Sequence, residues 1–164
     1  QTDCTAIQGE CASCFHYYLC RPHWRGEMEV YMSGKLRYLS PEWRDEAEKR
    51  LKAELTPEKM NNITSSMSNV FLNCPEGKNL YLHLSYIEGK LDKCLAGEGE
   101  APAAEFKITG DYEVFARISR AELSSQLALM TGKLKLKGNM VRALKLAAIS
   151  DRINKVFSTI PTGY

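Results

Sequence analysis

Residues that could do chemistry crowd the beginning of the chain. Cys11 and Cys14 form a C-x-x-C, His16, Cys20 and His23 follow closely, and Cys4 precedes them. Thiolates and imidazoles at this density can hold zinc tetrahedrally. A structural site built on C-x-x-C normally adds a second ligand pair across a longer loop, and none follows here. The segment is therefore read as carrying no metal, with Cys11, Cys14, His16, Cys20 and His23 as the residues that would ligate zinc if it did, and disulfide or redox chemistry of the thiols as a further alternative. Beyond this segment the only histidine is His83, which has no evident nucleophile partner in the sequence. There is no nucleophile elbow, phosphate loop or zinc-protease helix. Gly132 and Gly138 bracket a short segment but lack phosphate-loop spacing. Lys133, Lys135 and Lys137 could attract a carboxylate, a phosphate or an anionic membrane surface. Their plainer reading is a solvated, charged strand face that deters aggregation. These residues point to a protein that is not an enzyme and uses no cofactor.

Bulk properties narrow the classes further. The 164 residues suit one domain with an extra arm. Apolar residues make up 44% and charged residues 26%, enough for a real core. A net charge of +2, from 22 basic and 20 acidic side chains, gives no nucleic-acid footprint. No apolar run approaches the roughly 18 residues of a membrane span. Cys74 and Cys94 stand alone in the rest of the chain, unlike the spread of a disulfide framework. A cytoplasmic protein with reduced thiols is expected. Composition changes near residue 28, so residues 1–27 read as an extension outside the fold and residues 28–164 as the folded domain. Met28 and Met32 each offer a start.

The elements that must position any site follow from local patterns. Ser40-Pro41-Glu42 starts a helix, with a capping hydroxyl and proline at the first helical position. Trp43, Ala47, Leu51 and Leu55 give it one apolar stripe. Thr56-Pro57-Glu58 reads as a second short helix running to about Asn62. Strands are expected over Val70–Leu72, Leu80–Ser85 and Leu91–Leu95, joined by turns at Pro75–Lys78 and Glu88–Lys90. A flexible Gly- and Ala-rich loop, residues 96–104, precedes a short strand at Phe106–Ile108. Helices follow over Tyr112, Phe115 and Ile118, and from about Glu122 to Met130. Lys133–Lys137 alternates without exception and reads as a strand. A long basic helix is expected from Asn139 to about Ser158, ended by Pro161. Strands grouped with helices to one side make an α+β sandwich.

From about Ser66 to Ser158 these pieces resemble the sterol carrier protein 2 (SCP2) sterol-transfer domain family. The resemblance rests on Phe106-Lys107-Ile108-Thr109 followed at once by the helix bearing Tyr112 and Phe115. It continues through the unit from Ala121-Glu122-Leu123 to Met130. Its most specific part is Gly132-Lys133-Leu134-Lys135-Leu136-Lys137-Gly138-Asn139-Met140 leading into the final helix. The resemblance implies a curved, mostly antiparallel five-stranded sheet covered by helices, with a long C-terminal helix. The extra N-terminal helix, the longer terminal helix and the absence of a peroxisomal ending are similar to the prokaryotic stand-alone type.

The resemblance further implies an apolar tunnel between sheet and helices, which binds or transfers a lipid-like molecule: a fatty acid, fatty acyl-CoA or sterol-like body. Residues implied to line it are Val114, Phe115, Ile118, Leu127, Met130, Leu134, Leu136, Leu144, Ile149, Ile153 and Phe157. Burying each methylene is worth about 0.8 kcal/mol, so an acyl chain needs few polar contacts. The same stripes would also serve a close-packed core. Transient membrane contact through the basic terminal helix and a homodimer are both compatible with this reading. The alternatives are a dimerisation or partner-docking module and an accessory substrate-presenting domain of an enzyme.

Overall fold

The computed structural model describes residues 34–164. The expectations for residues 1–27, the zinc candidates among them, lie outside the described residues. The first described element is β1 (Leu36–Arg37), followed by α1 (Pro41–Glu54). Ser40 caps α1 by accepting the Trp43 amide N–H, at 3.2 Å. Trp43, Ala47 and Leu51 are buried from this helix, as their spacing predicts. No second helix follows α1. Residues 57–62 make hydrogen-bonded turns instead, ending in left-handed Asn61 (φ 52°) and Asn62 (φ 48°), which no helix can accommodate in succession.

The sheet is built from β2 (Ser65–Leu72), β3 (Leu80–Ile87), β4 (Lys90–Glu98), β5 (Phe106–Asp111) and β6 (Leu134–Lys137). Its order is β4-β3-β2-β5-β6. The β2–β5 pair is parallel and the remaining pairs are antiparallel, so the sheet is mixed but mostly antiparallel. The β3–β4 turn uses Glu88 (φ 49°) and Gly89 (φ 76°), the pair of left-handed residues that a tight right-twisted hairpin requires. A side-chain carbon at residue 89 would come within 2.7 Å of the Pro57 backbone, so glycine also lets this turn seat against the preceding segment.

Register sorts the two faces. On the inner face, Met67 lies opposite Leu84 and Phe106, Asn69 opposite Leu82 and Ile108, and Phe71 opposite Leu80 and Gly110. Gly110 is opposite Leu134 on β6, and a side-chain carbon there would sit 2.4 Å from Leu134 Cδ2. On the outer face, Ser68 pairs with His83 and Lys107.

The inner face is roofed by α2 (Tyr112–Ser119), α3 (Ser125–Met130), α4 (Met140–Lys145) and α5 (Ala147–Phe157). The helix expected from Asn139 to Ser158 comes as these last two segments. They meet at Leu146, whose N–H is shared between the carbonyls of Arg142 and Ala143, each at 3.1 Å. β7 (Thr162–Gly163) returns to pair in parallel with β1. The Trp43 indole N–H donates to Thr162 Oγ1 at 2.9 Å, fastening α1 to this closing pair. Tyr38 packs edge-on against the Trp43 ring at 4.9 Å, and Phe157 packs tilted against it at 5.1 Å. This aromatic core fills one end of the space between sheet and helices.

Candidate functional site

The other end of that space is not filled. A cavity of about 80 Å³ lies between the inner sheet face and the roof. Its floor is period-two strand chemistry: Met67 and Asn69 from β2, Leu84 and Tyr86 from β3, Phe106 and Ile108 from β5, Leu134 and Leu136 from β6. Its roof comes from Phe115 and Ile118 of α2, Ser125 and Leu129 of α3, Ala143 of α4, and Ile149, Ile153, Asn154 and Phe157 of α5, with Leu146 at the helix joint. No Asp, Glu, Lys, Arg or His is among its lining residues. Most of its wall is aliphatic or aromatic, with uncharged polar side chains between.

Of the residues implied to line a tunnel, the structure brings Phe115, Ile118, Leu134, Leu136, Ile149, Ile153 and Phe157 onto the cavity wall. Val114, Leu127, Met130 and Leu144 are not there. Val114 packs against the core beside the cavity. Leu127, Met130 and Leu144 are 51%, 73% and 38% exposed. The reason is helical phase. α3 begins at Ser125, capped by Ser124 Oγ, and its inward set is Ser125, Ala128 and Leu129. That set places Leu127 and Met130 in solvent. The α4–α5 stripe runs through Ala143, Leu146, Ser150, Ile153 and Phe157, so Leu144 turns outward.

Sequence reasoning missed most of the sheet floor and its polar residues. Asn69 was readable only by extending the β2 alternation back from Phe71 through Asn69 to Met67. The Asn69 carboxamide oxygen and the Tyr86 hydroxyl are buried without a hydrogen-bond partner among the described residues. Burial, with the Cys94 thiol adding to it, pushes the Tyr86 phenol well above its ordinary value, so it remains a neutral donor.

The rim carries the charge. Arg142 Nε pairs with Glu105 Oε1 at 2.9 Å, and an Arg142 guanidinium N–H reaches the Thr64 carbonyl at 3.3 Å. Glu105 Oε2 accepts from Ser65 Oγ at 2.8 Å. This exposed latch ties α4 to the start of β2. No residue of α4 is buried.

On the opposite face of the sheet, His83 Nδ1 is 2.8 Å from Ser68 Oγ, a contact invisible in the sequence because the two sit on different strands. The hydroxyl has one proton and donates it to the Pro102 carbonyl at 2.7 Å. It therefore accepts from the imidazole N–H. A serine nucleophile needs the reverse polarity, with the imidazole accepting the hydroxyl proton. Cys74 and Cys94 are free and buried. Burial first, then Glu48, pushes the Cys94 thiol up to about 12, which leaves it unreactive. Among the described residues no cluster of metal ligands occurs, and no helix is long and apolar enough to cross a membrane.

Comparison with solved structures finds the same architecture. A crystal structure of sterol carrier protein 2 aligns with a TM-score of 0.66 at 22% identity, covering 76% of this chain and 99% of the other. The solution structure of a conserved hypothetical protein from Thermus thermophilus gives 0.63 at 23%, covering 77% and 92%. A palmitated sterol carrier protein 2-like protein of Aedes aegypti (SCP2L2) gives 0.50 at 22%, covering 68% and 94%. Among curated proteins, "Non-specific lipid-transfer protein-like 1" of Caenorhabditis elegans is 34% identical over 65 residues, which are 40% of this chain and 55% of that protein. The match thus spans about half the length of that relative. The sequence model of the SCP-2 sterol transfer family matches residues 45–151. The α+β fold, the mostly antiparallel sheet with its helical roof and this family match agree, and the chain belongs to the SCP-2 sterol transfer family.

Proposed function

We propose that this chain binds and carries a lipid-like apolar molecule, a fatty acid, a fatty acyl-CoA or a sterol-like body, without catalysing its conversion. The observation that carries the reading is the chamber itself: mainly apolar walls and no charged residue, between the sheet and helices of an SCP-2 family member. The palmitated Aedes aegypti protein, which shares this fold, supports an aliphatic guest.

At about 80 Å³ the resting cavity is smaller than the roughly 300–1,000 Å³ of typical ligand sites. Loading therefore requires the roof to move. The mobile part in this reading is α4, which buries no residue, hinges at Leu146 and is held by the solvent-exposed Arg142 latch. Raising α4 extends the cavity past Ala143 and Leu136 to the surface. The helices beside this opening expose Leu127, Met130, Met140, Val141 and Leu144, and Lys133, Lys135, Lys137 and Lys145 are exposed nearby in sequence. That combination suits brief contact with an anionic bilayer during exchange.

The test is binding of a fluorescent fatty acid by wild type and by Ala147→Phe. Ala147 is buried on the cavity wall, and a phenyl ring there occupies the space a guest would take. The expected result is saturable binding by wild type, weakened at least about tenfold in a variant that still melts cooperatively after an overpacking cost of about 1–3 kcal/mol. Equal binding by both proteins would place the ligand elsewhere.

A further inference from the structure

Of the polar side chains lining the cavity, Gln126 is exposed and Ser150 half-buried, and the others fall into two groups. Asn154 Nδ2 donates to Ser125 Oγ at 2.7 Å, Ser65 Oγ donates to Glu105 Oε2 at 2.8 Å, and Ser66 Oγ accepts the Glu105 amide N–H at 3.0 Å. Those groups are committed to the protein. Asn69 and Tyr86 are not: the Asn69 Oδ1 and the Tyr86 hydroxyl are buried with no partner among the described residues. Tyr86 is only 5% exposed and lines the cavity. Buried polar atoms are nearly always hydrogen-bonded, and an orphan in a mainly apolar wall calls for an explanation.

The placement of the two residues supplies one. Asn69 stands on the floor between Met67 and Phe71, opposite Leu82 and Ile108. An apolar residue there would continue the face without cost. Tyr86 is opposite Ser65, four residues from Asn69 along the strand, or roughly 13 Å at strand rise. A carboxamide can both donate and accept, and a buried phenol donates. With no cation on the wall, an ionised carboxylate at either point would be stripped of water and left unpaired. An uncharged oxygen meets no such penalty.

We infer that the cavity selects apolar ligands carrying an uncharged hydrogen-bonding oxygen, a hydroxyl above all, which Asn69 receives, with Tyr86 as a second station along the sheet. The inference rests on the carrier reading and adds the ligand's chemical class. Within it, an ionised fatty acid keeps its head group outside the chamber, at the rim.

The experiment is displacement of a fluorescent hydrocarbon probe by dodecane, dodecan-1-ol and dodecanoate at neutral pH. In wild type the alcohol is expected to bind about tenfold more tightly than the alkane, the worth of one or two neutral hydrogen bonds. In Asn69→Leu that advantage disappears while alkane binding is retained. Asn69→Ala, which adds no bulk, is measured alongside and gives the same loss. Tyr86→Phe removes a smaller part of the advantage. Equal binding of alcohol and alkane to wild type, as when water satisfies both residues, overturns the inference and leaves the carrier reading standing. An alcohol advantage that survives all three substitutions also overturns it. No displacement by any of the three compounds, or no binding of the probe, sinks the carrier reading itself.

Discussion

His83 donates through Nδ1 to Ser68, and Ser68 donates its own hydroxyl hydrogen to the Pro102 carbonyl, so the chain of bonds pins the loop at Pro102 onto the outer sheet face. Burial, and then the nearby charge of Lys93, lowers the His83 pKa below its ordinary 6.5. Below that pH the unfolded chain takes up a proton that the folded chain resists, so the unfolded state binds more protons and stability falls as pH falls. The loss begins near pH 6.5 and continues down to the lowered folded-state value. In denaturant titrations at about pH 7 and about pH 5, either side of the ordinary histidine value, His83→Gln is expected to flatten this slope. A slope unchanged by the substitution would assign the pH dependence to other groups. At the residue scale the sequence was only partly readable. Leu134 and Leu136 sit on the cavity wall because strict alternation leaves one phase. The partnership of Ser68 with His83 depends on register between strands, which no local pattern encodes. The orphaned Asn69 looks like an ordinary strand asparagine until its inward phase is known.

At the scale of elements, start positions decided which readings held. α1 was legible because Ser40 and Pro41 define its first turn and fix the phase of Trp43, Ala47 and Leu51. α3 was misphased because its cap is Ser124, not a residue near Glu122, and a six-residue helix presents only about one and a half turns. The turns at residues 57–62 read as a helix in sequence because Pro57 imitates a helix start, whereas the two left-handed asparagines decide otherwise. The break at Leu146 left no proline or glycine signal. It separates an α5 anchored by five buried residues from an α4 with none, and in the proposed loading route α4 is the part that moves. Arg142→Ala, which removes the latch to Glu105 and Thr64, is expected to raise both loading and release rates of a fluorescent fatty acid several-fold in stopped-flow measurements. Equilibrium stability should change by less than about 1 kcal/mol, since the pair is exposed. Unchanged rates would mean that α4 is not the gate.

The interior of the described residues has two differently packed ends. One end is sealed by the Tyr38, Trp43, Phe71 and Phe157 rings and by the β1–β7 pairing, which gives the fold a rigid aromatic anchor. The other end keeps an apolar space beneath a weakly anchored helix. The order of strands and helices was legible because the segment from Gly132 to Met140 and the strand–helix unit at Phe106–Phe115 are both local and sharply patterned. How much empty space survives between them was not, since cavity volume depends on side chains from many separate elements meeting at a distance. The account stands on that space being able to open around an aliphatic guest. Native mass spectrometry of the protein, after incubation with lipid vesicles and removal of unbound lipid, tests this most directly. The account predicts a one-to-one adduct with the mass of a single lipid, absent from Ala147→Phe. A spectrum showing only the bare chain at every lipid concentration would contradict it.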